Sequence, residues 1–240
     1  YQPGAVGLLT SMGVTVAAGG ELVTPPRLVV QQSLSVSGSV FGLERLTVSD
    51  GGTVSLAATG RIGNASAAGV YDLLEVTVDG RDVGSGAANA VFDLQDGVQL
   101  VVGEVHVVMG TMQVNGFVNV SAMLFNMSSG ATINGEGLSH GSNNQGTGTG
   151  TLTSWRNGAS HGGVCGEWPG TTYGDTMRPT TVGSGGYTTR GGAALRLDAD
   201  ELVLAGSVDV DGSSAWSSGG GSGGSAWLST RLLRGSGATI

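Results

Sequence analysis

The 240-residue chain contains no lysine: its ten basic residues are all arginine, set against 18 acidic side chains for a net charge of −8. A surface of that sign does not neutralise phosphates along a duplex, which argues against nucleic acid as a partner. The same sign disfavours an anionic membrane surface. A P-loop needs a lysine after its glycines, so no glycine run here is one. No stretch reaches 18 apolar residues, so no segment is expected to span a bilayer. Charged residues make up 12% and aromatics 5%, which leaves little material for a catalytic constellation. A sustained i, i+3, i+4, i+7 pattern is also missing, and with it any long amphipathic helix. The single cysteine, Cys165, reads two ways, as one half of a bridge to a partner outside this sequence or as an inert thiol in a loop.

Glycine is what the chain has most of, 46 residues. The absence of a G-X-Y period excludes collagen. Disordered low-complexity sequence is excluded by the 39% of hydrophobic residues, which fall in regular pairs. One run of pairs is Phe92/Leu94, Val98/Leu100, Val105/Val107, Met112/Val114 and Val118/Val120. An earlier run is Leu28/Val30, Leu34/Val36, Val40, Leu46/Val48 and Val54/Leu56, and a later one Leu195/Leu197, Leu202/Leu204 and Val208/Val210. An i, i+2 pair puts two side chains on one face of a short strand. The few residues between pairs suffice for a corner, not for a crossover helix. Three such sides give a turn of roughly 18–22 residues, the period of a β-solenoid.

The expected organisation is all-β, with coils over 1–133, a long glycine-rich insertion over 134–192 and further coils over 193–240. Pro25-Pro26 bends the backbone before the first clean run. The insertion has almost no aliphatic pairs and is too long for an ordinary connection. It is expected as a protruding loop or small subdomain, or as extended glycine-rich strands packed on the solenoid, anchored by Trp155, Trp168, Tyr173 and Tyr187. There is no initiator methionine. The final Gly237-Ala238-Thr239-Ile240 repeats the internal Gly130-Ala131-Thr132-Ile133, where the sequence continues. The expectation is a longer polypeptide whose coils are continued by flanking sequence or by neighbouring subunits.

Candidate chemistry is sparse. His161 and Cys165 are four apart, a spacing seen at zinc sites, but no Cys-x-x-Cys accompanies them and glycine loops hold no rigid geometry. The competing reading gives His161 hydrogen bonds to its own loop; no metal and no cofactor are expected. His106, between Val105 and Val107, should point outward, away from His140 and His161. Asp-Gly corners at Asp50-Gly51, Asp79-Gly80 and Asp96-Gly97, with a further acidic corner at 209–212, lack the G-G-x-G-x-D-x-U-x repeat of a calcium-binding roll. Their sufficient reason is turn chemistry. Trp168, Tyr173, Asp175 and Arg178 could form a carbohydrate platform, although Trp168 and Tyr173 equally serve to pin the loop. Three N-x-S/T acceptors, Asn64, Asn119 and Asn126, point to a glycosylating secretory route. Asn119 lies between the inward pair Val118 and Val120, so it should project outward.

The strings Ala159-Ser160-His161-Gly162-Gly163, Tyr173-Gly174-Asp175, Pro179, Gly183-Ser184-Gly185-Gly186 and Gly191-Gly192-Ala193-Ala194-Leu195-Arg196-Leu197 follow one another in the insertion. They are continued by Gly206-Ser207-Val208-Asp209-Val210-Asp211-Gly212, by 219–228 and by 235–240. Together, over roughly residues 130–240, they resemble the glycine-rich β-helix module of very large secreted or surface proteins of bacteria, protists and plants. Val164-Cys165-Gly166 departs from that pattern. The resemblance implies a right-handed parallel β-helix acting as a structural or adhesive module of an extracellular filament, appendage or surface glycoprotein, without catalysis. Pectin-degrading lyases and glycoside hydrolases share the architecture, so the alternative is a β-helix that binds or cleaves polysaccharide. Such a site needs paired carboxylates, or a cation with a base, and no such pair stands out here.

Overall fold

A computed structural model of the chain describes residues 13–49, 51–62, 69–80, 90–142, 145–149, 158–164, 170–216 and 219–240, together with the strand backbone of 6–9. Among them there is no helix. The first strands are β1 (Val6–Leu9), β2 (Val14–Val16), β3 (Glu21–Val23), β4 (Arg27–Val30), β5 (Ser33–Val36) and β6 (Ser39–Phe41). Next come β7 (Arg45–Ser49), β8 (Thr53–Leu56), β9 (Arg61–Ile62), β10 (Val70–Asp79), β11 (Val91–Leu94) and β12 (Gln99–Met109). The last are β13 (Thr111–Val114), β14 (Phe117–Met127), β15 (Thr132–Asn134), β16 (Ala194–Leu204), β17 (Ser207–Asp209) and β18 (Ser225–Arg234).

These strands form two sheets, of eleven and seven strands. Every strand pairing is parallel, and the chain visits the sheets in a repeating order. In the larger sheet β1, β4, β7, β10, β12, β14, β16 and β18 stand side by side, with β3, β6 and β9 off that path. The smaller sheet runs β2, β5, β8, β11, β13, β15, β17.

In-register pairing turns the aliphatic pairs into columns. Leu28, Leu46, Val76, Val105, Phe125, Leu202 and Leu233 form one. A second, on the seven-stranded sheet, runs Val14, Leu34, Val54, Phe92, Met112, Ile133 and Val208. The third runs Leu22, Val40, Ile62, Tyr71, Leu100, Val120, Leu197 and Leu228. Away from the two ends of each column these residues are fully buried and belong to one continuous core. Each Val or Leu so buried contributes roughly 1.5–3 kcal/mol.

The long strands β10, β12, β14, β16 and β18 join two sides of this arrangement in one element. Their pairing skips Leu74, Gly103, Met123, Asp200 and Arg231. At that point the alternation reverses and the backbone bends outward. Leu74, which the sequence groups with Val76 and Val78 as strand, therefore sits 56% exposed at the corner. Gly97 (φ 78°) and Gly130 (φ 87°) take the left-handed conformation at tight corners between strands.

The glycine-rich segment enters between β15 and β16, and the pairing resumes across it. Val118 of β14 stands against Leu195 of β16, and Ile133 of β15 against Val208 of β17. Within 135–193 the described residues contain no strand beyond a single isolated bridge, Thr149 with Ala159.

Candidate functional site

Glycine explains the local structure of the insertion. Gly183 N donates to Gly192 O (2.8 Å), Gly192 N to Ser222 O (3.0 Å) and Ser222 N to Ser184 O (3.0 Å). Three stretches of non-strand backbone are thereby laced to one another. Gly221 N donates to Ser213 O and Gly224 N to Val210 O, so residues three apart reach the same neighbouring stretch. That spacing is what an extended backbone with three residues per turn gives. The stretches lie too close for side chains: a Cβ on Gly192 would sit 1.8 Å from Val210 O, and one on Gly224 1.8 Å from Ala193 O. Among the described residues these stretches are held by backbone hydrogen bonds outside any strand.

Apart from Ala159, the buried side chains here are polar. Ser160 and Ser184 are fully buried, and Thr189 and Ser222 nearly so. Ser184 Oγ accepts from Gly148 N (2.9 Å) and meets the Tyr173 hydroxyl at 2.8 Å, while Tyr173 donates to Val182 O (2.6 Å). Ser184 N donates to Ser222 Oγ (2.8 Å). Every member of this small network has a partner, the condition under which buried polar groups are tolerated.

Beside the network lies an open depression of about 740 Å³, walled by His161, Gly162, Gly163 and Val164, by Thr172, Tyr173, Gly174, Asp175 and Thr176, and by Ser222, Gly223, Gly224 and Ser225. His161 Nε2 is 2.7 Å from Thr181 Oγ1, and its ring lies 4.6 Å from that of Tyr173 at a 47° tilt. Gly174 (φ 101°) permits that approach, since a Cβ there would come within 3.0 Å of His161 Nε2. Asp175 Oδ1 accepts from Met177 N (2.7 Å) and Arg178 N (3.1 Å), closing a turn at the rim.

The structure thus brings together two of the four residues read as a carbohydrate platform. Tyr173 and Asp175 line the depression; Arg178 is exposed and does not line it. Trp168, Cys165 and Asn64 lie outside the described residues, as does Trp155. Tyr173 does pin the loop, through its hydroxyl. Asn119 projects outward between Gln99 and Arg196 in register, half-buried, its Oδ1 covered and without a hydrogen-bond partner among the described residues. Next to it the Arg196 guanidinium lies 4.6 Å from the Trp227 ring centre and pairs with Asp198 at 2.7 Å. Asn126 stands outward between His106 and Val203. His106 points outward and meets Glu104 at 3.1 Å, away from His161.

Sequence reasoning missed the buried Ser184 and Ser222, because serine in a glycine run carries no periodic signal. Asp96, read from the sequence as a turn residue, also reaches beyond its own corner: its Oδ1 accepts from Phe117 N (2.7 Å) at the start of β14. Among the described residues no group of three or more His, Cys, Asp or Glu side chains is placed to hold a metal ion, and no helix is long and apolar enough to cross a membrane. Among the described residues the one strongly shifted side chain is in the core: burial pushes the Tyr71 phenol well above its usual range, and its hydroxyl donates to Ala57 O. No protein-family model matches the chain, and neither a curated protein nor a solved structure matches it.

Proposed function

We propose that the chain is a right-handed parallel β-helix that serves as a structural or adhesive module of a large extracellular filament, appendage or surface glycoprotein, without catalysis. One observation carries the reading: inward columns run from Leu22 to Leu228 and from Leu28 to Leu233 through successive parallel strands, with the glycine-rich segment packed alongside. A parallel strand–connection–strand unit is right-handed in about 98% of cases, which supports the handedness. Stacked units of this kind lengthen by repetition, suiting a rod or spacer whose partners are flanking coils of the same chain or neighbouring subunits.

Several groups capable of chemistry are engaged in structure. Asp175 holds a turn, His161 contacts Thr181, and Asp93 accepts from Ser55, Gln95 and Asn115. On this reading Asn64, Asn119 and Asn126 are glycan acceptors on a secreted protein. Two measurements test it. Peptide mass spectrometry of native material should find a glycan on at least one of the three; all three unmodified would count against secretion through a glycosylating route. Turnover assays on neutral and acidic polysaccharides should be blank. A measurable rate abolished by Asp175→Asn or Arg178→Ala would overturn the non-catalytic reading.

A further inference from the structure

We propose that the depression between 161–164, 172–176 and 222–225 binds a neutral polysaccharide chain. The scaffold reading does not depend on this, and each is tested separately. The depression is an open trough of about 740 Å³, within the size range of roughly 300–1,000 Å³ common for ligand sites. Its openness to solvent suits a segment of a polymer better than an enclosed metabolite.

Its floor is rigid. Tyr173 is held by its hydroxyl to Val182 O and Ser184 Oγ, and His161 by Thr181, so neither ring needs ordering when a ligand arrives. Its rim keeps polar capacity in reserve. The Thr172 and Thr176 hydroxyls are exposed, and neither they nor Asp175 Oδ2 has a hydrogen-bond partner among the described residues. Val164, 69% exposed, adds apolar surface to the lining.

The charge decides the class of sugar. Among the described residues Asp175 is the only carboxylate in the lining and no arginine lines it, in a chain that has no lysine. A polyanion such as polygalacturonate would meet uncompensated repulsion there. Neutral hydroxyl groups can donate to Asp175 Oδ2 and exchange hydrogen bonds with the two threonines, while a pyranose C–H face rests on apolar and aromatic surface.

Affinity gel electrophoresis of the full chain, through gels holding mixed-linkage β-glucan, galactomannan, xyloglucan or polygalacturonate, tests the proposal. At least one neutral polymer should retard the protein, and polygalacturonate should not. Asp175→Asn retains the Oδ1 acceptor of the turn but loses the charge; Thr172→Val with Thr176→Val removes the two hydroxyls. Each should weaken retardation about tenfold, the scale of one or two hydrogen bonds. Thr53→Val, on the outer face of the seven-stranded sheet, should change nothing. Absence of retardation by all three neutral polymers would overturn the proposal. So would retardation indifferent to the rim substitutions in variants with wild-type circular dichroism, or stronger retention by polygalacturonate.

Discussion

The sheets and the glycine-rich insertion solve the same problem, burying a backbone, in opposite ways. In the sheets the backbone is paired strand to strand, and the interior is filled by columns of Val, Leu, Phe and Met. In the insertion it is laced to itself across short extended stretches, and the interior is glycine backbone with buried serine hydroxyls. One core gains its stability from apolar area; the other gains little area and relies on complete hydrogen bonding at close approach. The two therefore fail differently. The aliphatic core is damaged by removing atoms and the glycine core by adding them.

The largest effect should come from emptying a column. Phe125→Ala removes a fully buried ring stacked between Val105 and Leu202 and should cost about 3–5 kcal/mol in chemical denaturation. Gly192→Ala adds one carbon where Val210 O would stand 1.8 Å away, with Asp211 O at 2.7 Å; a loss of about 3 kcal/mol is expected. If the glycine core were a loose loop, that alanine would be neutral. Ser184→Ala keeps the backbone but strands Gly148 N and removes one of the two partners of the Tyr173 hydroxyl, which keeps Val182 O, for a loss of about 1–3 kcal/mol by the same assay.

Tyr71 sharpens the contrast through pH. Its pKa is raised in the folded state, so the buried phenol stays neutral while the unfolded chain ionises near the ordinary value of 10.0. The unfolded state then binds fewer protons, and stability falls as pH rises above about 10, by up to about 1.4 kcal/mol per unit for this one group. Tyr71→Phe should be less stable at neutral pH by about 1 kcal/mol but should lose that part of the alkaline slope. The smallest effect is expected at the surface: Glu75→Gln, across from Arg45 at 3.6 Å with both side chains substantially exposed, should change stability by no more than about 0.5 kcal/mol.

The difference between the two regions also explains what could be read from sequence. Pairs such as Phe92/Leu94 and Val118/Val120 announce strand, face and period together, because alternation is a property of side chains. Corners were less legible. Leu74 lies beside Val76 in the sequence and on the wrong side of a bend in the structure, and nothing local marks the reversal. The three short strands before Arg27 were also obscured, being less regular in composition. The insertion stood out by composition, but glycine has no side chain to reveal a face. That Gly183, Gly192 and Ser222 meet is a fact of long-range backbone pairing. The trough was half-legible. Tyr173 and Asp175, singled out from the sequence, line it together with their neighbours Thr172 and Thr176, whereas residues 222–225 come from a distant part of the chain.

Residue-resolved amide hydrogen exchange on the native protein tests most directly whether there are two cores. The account predicts that the amides of Gly183, Gly192, Ser222 and Gly224, each donating to a backbone carbonyl, exchange as slowly as those of Val120 and Leu197 in the sheet. Exchange of those four at unstructured-peptide rates, with Val120 and Leu197 still protected, would contradict it and leave the glycine-rich stretches as loops on a single aliphatic core.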